Sequence, residues 1–104
     1  MSVQEAIKIT NETINDLVYN YYGRRVEVRC IDGTVFTGKV GWFAEDMCID
    51  EDDDDMMGFG VNFDDVTDGN GNTLEGLAVE MSHFDSVTPL ERANTEEEMR
   101  KLFP

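Results

Sequence analysis

Six consecutive carboxylates, Asp50, Glu51, Asp52, Asp53, Asp54 and Asp55, form the densest set of chemically active side chains in this 104-residue sequence. Crowded carboxylates repel one another, so a divalent cation or a Lys- and Arg-rich surface relieves that repulsion on approach. The guanidinium and ammonium groups that clamp phosphates also clamp carboxylates, which makes the run a candidate face for a basic protein. In that role the chain would act as an acidic decoy or inhibitor of a nucleic-acid-binding protein. The plainer role is a hydrated loop that promotes solubility.

A second constellation follows at once. Counted from Asp64, the residues Asp64, Asp68, Gly69, Asn72 and Glu75 fall at positions 1, 5, 6, 9 and 12 of an EF-hand-type calcium loop. Position 3 is Val66 where a ligand belongs, position 8 is Gly71 where a hydrophobic residue normally pairs, and no strong helical pattern flanks the segment. The same mixture of Asp, Asn and Gly also builds a long hairpin turn, because these residues tolerate left-handed geometry. The metal expectation is therefore weakly bound calcium on Asp64, Asp68, Asn72 and Glu75. No other cofactor is expected.

Catalytic chemistry finds little to work with. His83 is the single histidine, and its neighbours Ser82 and Asp85 are adjacent in sequence, which is a poor predictor of triad geometry. Cys30, Cys48 and His83 are too few for zinc, and the two cysteines read as buried free thiols. A non-enzymatic protein is the expectation.

Charge narrows the partners further. From Val40 to Glu91 there are fifteen acids and no Lys or Arg, while the rest of the chain carries eight of each, so the net charge of -15 belongs to one half. Nucleic-acid binding requires phosphate neutralisation by bases, and this balance argues against it. Arg24, Arg25, Arg29 and Lys39 form a local basic group whose ordinary role is to pair with Glu27 and the acids. Residues 1–10 contain an acid and lack a continuous apolar core, so neither a signal peptide nor a membrane span is read, and a cytoplasmic location is expected.

The elements that must position these groups follow from periodicity. Val3, Ala6, Ile7, Ile14 and Leu17 recur at helical spacing, and Asn11 can cap a helix over residues 12–20 that stops near Gly23. The period then switches to two. Val26, Val28 and Cys30 share one strand face, Asp32-Gly33 makes a hairpin, and Phe36, Gly38, Val40 and Trp42 share a common face of the next strand. Gly38 and Gly41 signal bending or close strand approach. Phe59, Val61 and Phe63 mark a third strand, Leu77, Val79 and Met81 a fourth, and residues 86–90 a fifth ending near Pro89. Five short strands with local connections predict a small closed barrel. Asn94 or Thr95 caps a C-terminal helix with Glu96, Glu97 and Glu98 in its first turn and Arg100 and Lys101 near its end. The expected organisation is a helical segment at 1–22, a barrel at 23–91 with acidic loops at 50–57 and 64–75, and a helical tail at 92–104.

The segment GRRVEVRCIDGTVFTGKVGWFAEDMCID resembles the first motif of the Sm-like family, small five-stranded SH3-like barrels preceded by an N-terminal helix. Gly33 and Gly38 match its turn and bent strand, Val26 and Val28 its first strand, and Val40 its hydrophobic site. The likeness is greatest to bacterial members, and it extends to Ser82, His83, Phe84, Asp85, Ser86 and Val87 as a helical turn and closing strand. It implies a mainly β chain used in protein association, including self-association through edge strands. The family's RNA pocket is not implied. Asp46 stands two residues too far from Gly38, Asp50 occupies the place of an Asn, and Glu80-Met81-Ser82-His83 replaces the second motif's Arg-Gly.

Overall fold

The computed structural model describes the backbone of residues 6–50 and 53–103 and the side chains of residues 6–44 and 59–103. The elements are β1 (Ile7–Lys8), α1 (Thr13–Tyr21), β2 (Arg25–Cys30), β3 (Val35–Asp50), β4 (Asp53–Asp68), β5 (Thr73–Glu80), β6 (Phe84–Pro89) and α2 (Glu96–Leu102). A 3-10 turn, Met81–His83, joins β5 to β6. All ladders are antiparallel, in the order β1-β6-β2-β3-β4-β5.

The expected five-stranded SH3-like barrel is corrected by this order. Among the described residues the sheet has six strands and is open, with β1 at one end and β5 at the other. The extra strand explains both differences. Ile7 pairs with Val87 and Lys8 with Ser86, so the edge of β6 on which β5 would have to close is already taken. Ile7 fits the helical spacing of the N-terminal segment, yet the chain turns at Thr10 before α1 begins. The Thr10 Oγ1 accepts the Glu12 and Thr13 N–H groups, each at 3.2 Å, and the Thr13 hydroxyl donates to the Lys8 carbonyl at 2.7 Å. A threonine turn thus does the capping expected of Asn11, and it pins the short strand to the helix behind it.

The core lies between α1 and one face of the sheet. Val26, Val28, Val61, Phe63 and Val87 are fully buried, and Ile14, Leu17 and Val18 of α1 cover them. Burial of eight such side chains is each worth roughly 1.5–3 kcal/mol against exposure, which makes this the main stabilising term. Trp42 departs from the common face expected with Phe36, Gly38 and Val40: those three are buried and it is 45% exposed. The β3–β4 register shifts between Val40 and Phe43, and a slip in a period-two pattern turns the following side chain over.

Two glycines let the strands approach. A Cβ on Gly38 would sit 3.1 Å from a Val66 methyl, and one on Gly60 would lie 1.8 Å from the Val79 carbonyl oxygen. No side chain fits at Gly60 without moving β5. At the C-terminus Thr95 and Glu98 complete a capping box, as the sequence indicates. The tail is anchored by buried Asn94, whose N–H donates to the Asn20 carbonyl at 2.6 Å and whose amide donates to Tyr22 at 3.1 Å. Phe103 then enters an aromatic group with Tyr19, Tyr22 and Trp42.

Candidate protein-binding site

The uncovered end of the sheet is β5, eight residues reading Thr-Leu-Glu-Gly-Leu-Ala-Val-Glu. Its inner edge pairs with β4 through Gly60 to Glu80, Phe63 to Leu77 and Val66 to Leu74. No ladder covers its outer edge among the described residues. Leu77 and Val79 point to the core side, while Gly76 and Ala78 alternate onto the solvent side and are exposed.

A cleft of about 370 Å³ opens beneath this edge. Its floor is Phe36, Leu77 and Val79, and the end of β2 supplies Cys30. The rim is Asp32 and Thr34 from the hairpin and His83 from the 3-10 turn. Hairpin and turn are held together, since the Ile31 N–H donates to the His83 carbonyl at 2.9 Å. The hairpin is itself fixed by Gly33 at φ +90° and by the Thr34 N–H, which donates to the Asp32 carboxylate at 2.9 Å. Hydrogen bonds from the Thr34 N–H and hydroxyl hold Asp32 below the usual carboxylate range. Burial, and then the Asp32 charge, push the Cys30 thiol up, so it is a poor nucleophile at neutral pH.

The 3-10 turn is built on Glu80. This carboxylate is buried, accepts the Ser82 N–H at 2.9 Å and also takes the Ser82 hydroxyl. Ser82 is therefore engaged away from His83, and the adjacent Ser-His-Asp residues of the sequence do not assemble as a triad.

The acids singled out in the sequence are distributed differently. Asp50 is paired with Asp53 at the end of the β3–β4 hairpin, and Asp54 and Asp55 follow in β4. Glu51 and Asp52 lie outside the described residues, as do the side chains of Asp50, Asp53, Asp54 and Asp55. In the calcium-like segment, Asp68 and Asn72 come together as a turn. The Asp68 carboxylate accepts the Asn70 and Asn72 N–H groups at 2.8 and 3.0 Å and the Asn72 amide at 3.3 Å, which holds its pKa below the usual range. Asp64 stands opposite Gly76 in the ladder, and Glu75 is in β5. Among the described residues, no three His, Cys, Asp or Glu side chains gather so as to hold a metal ion.

Of the basic group, Arg25 and Lys39 stand opposite one another in the β2–β3 ladder, while the side chains take different partners. Arg24 donates to Asn94 at 2.8 Å and pairs with Glu98, which fastens the tail, while Lys39 meets Asp65 at 3.4 Å. The second pair is exposed and contributes about 0–1 kcal/mol. The Arg25 backbone N–H donates to Glu91 at 2.5 Å. The cleft is not legible in the sequence, because a closed barrel would place Leu77 and Val79 wholly inside. A signal was present: β5 contains neither Pro nor Lys, two residues that commonly protect an edge.

Among the described residues no helix is long and apolar enough to cross a membrane. No protein-family model and no curated protein matches the sequence. A crystal structure of an Sm-like archaeal protein from Pyrobaculum aerophilum is similar, with a TM-score of 0.54 and 16% sequence identity. The match covers 88% of this chain, which spans 64% of that protein's length. The likeness is one of fold. It supports a coarse Sm-like fold and corrects the expectation of a specifically bacterial group.

Proposed function

We propose that this chain is a non-enzymatic protein-association module that takes an extended segment of a partner protein along the outer edge of β5. The observation that carries this reading is the eight-residue strand at the end of an open sheet with a cleft beneath it. An edge strand presents unpaired N–H and C=O groups, and strand addition uses these for affinity and a neighbouring pocket for selection. The commitment of Ser82 to Glu80 supports a non-catalytic role for the same corner.

Hydrogen exchange on a captured complex tests the proposal. Slowed exchange across 73–80, with 45–58 unchanged, is the expected result. Protection confined to 45–58 would instead favour docking of a basic protein on the acidic end of the β3–β4 hairpin, and would remove β5 from the function.

A further inference from the structure

We infer that the segment added to β5 is basic and alternates Lys or Arg with apolar residues, one large apolar side chain seating in the cleft. The inference rests on the strand-addition reading above and specifies its partner. Side chains of an added strand point alternately to the two faces of the sheet. On the inner face they follow Leu77 and Val79, which floor the cleft, so an inward residue of the partner enters a space lined by Phe36 and Cys30. The 370 Å³ volume accommodates a large side chain such as Leu, Met or Phe.

The outer face selects differently. On that side β5 carries exposed Leu74 near one end and Glu80 at the other, and between them Gly76 and Ala78, neither of which has a side chain that stands high above the sheet. Behind them on β4, Asp64 faces Gly76 and Asn62 faces Ala78, and both are exposed. Strands lie about 4.8 Å apart, so a Lys or Arg on the added strand can stretch across the low glycine and alanine to the Asp64 carboxylate. Lys39 stands opposite Asp64 in the β3–β4 ladder, but its ammonium pairs with Asp65 at 3.4 Å, and no ion pair engages Asp64 among the described residues. β4, β5 and β6 themselves carry no Lys or Arg, which leaves Lys39 of β3 as the neighbouring base that an incoming cation must share the Asp64–Asp65 carboxylates with.

A second copy of this chain is the alternative occupant, and charge and topology oppose it. Two β5 edges brought together would join strands that carry acids and no Lys or Arg, between molecules each of charge -15. Head-to-tail pairing of β5 with the β6 of a neighbour meets the edge already taken by Ile7–Lys8.

The probe is a fluorescent seven-residue peptide alternating Lys and Leu, titrated by anisotropy against the intact protein. Binding is expected to weaken about tenfold when the central leucine becomes alanine, from the apolar area lost. Thr34→Phe, which fills the cleft from its rim, should weaken it similarly. Asp64→Asn, an exposed and conservative change checked by circular dichroism, should cost about fivefold for the Lys peptide and nothing for a peptide alternating Ser and Leu. Equal affinity of the Ser and Lys peptides would overturn the basic requirement while leaving strand addition standing. Equal affinity of a peptide N-methylated at alternate amides, which keeps its charge but cannot pair, would overturn strand addition itself. Sedimentation showing a dimer without peptide, dissociated by the peptide, would make a second copy the occupant and overturn the inference.

Discussion

The two edges of the sheet are treated in opposite ways. At one, a strand of only two residues covers β6, and the Thr10–Thr13 hydrogen bonds hold it there; at the other, no described residue covers the eight residues of β5. The contrast teaches that covering an edge needs little chain when the next element is pinned close by. It also shows that a short edge and a long one carry different consequences: the first stops propagation of the sheet, and the second invites it.

The comparison can be broken most severely at Gly60. Gly60→Val places side-chain atoms where the Val79 carbonyl already lies, so β5 must leave β4. The expected loss is about 3 kcal/mol or more, measured by urea denaturation, with loss of peptide binding. A smaller effect is expected at the covered edge. Thr13→Val removes the hydroxyl that donates to Lys8 and accepts the Thr10 N–H at 2.7 Å, for about 1 kcal/mol. Amides of β1 should then exchange faster, and sedimentation in high salt should reveal head-to-tail association as the β6 edge is freed. Unchanged exchange in β1 would show that the turn is not what holds it.

The smallest effect sharpens the comparison by sparing both edges. Hydrogen bonding from Arg92, the Thr95 N–H and the Arg24 charge lower the Glu98 carboxyl to about 2. A carboxyl whose pKa is depressed on folding contributes stability above its ordinary value near 4.5, and that contribution fades as pH falls from there towards 2. Over this window amides of α2 should lose protection before those of β1 or β5. Glu98→Gln should remove the pH dependence; its persistence would assign the effect to another group.

The sequence revealed local elements better than their closure. Alternation at Val26, Val28 and Cys30, the Asp32-Gly33 hairpin and the Thr95 cap each depend on a few neighbouring residues, and each forms much as read. Ile7 was misassigned because one apolar residue satisfies a helical pattern as easily as a two-residue strand. Trp42 was misassigned because the register shift before Phe43 leaves no mark in the alternation itself. Whether the sheet closes depends on what occupies the edge of β6, a contact between residues about eighty positions apart in sequence. The candidate site was hidden for the same reason: its residues were visible, but only an open sheet turns Leu77 and Val79 into the floor of a cleft.

The aromatic corner gives the molecule an internal optical probe. Trp42 is the single tryptophan of the chain, half exposed, with its ring centroid 5.4 Å from that of Phe103 in the tail. Tail release would bring water to the indole and shift its emission to the red. A partner that occupies only β5 would leave the spectrum unchanged, so the colour of one residue separates motion of the tail from occupation of the edge.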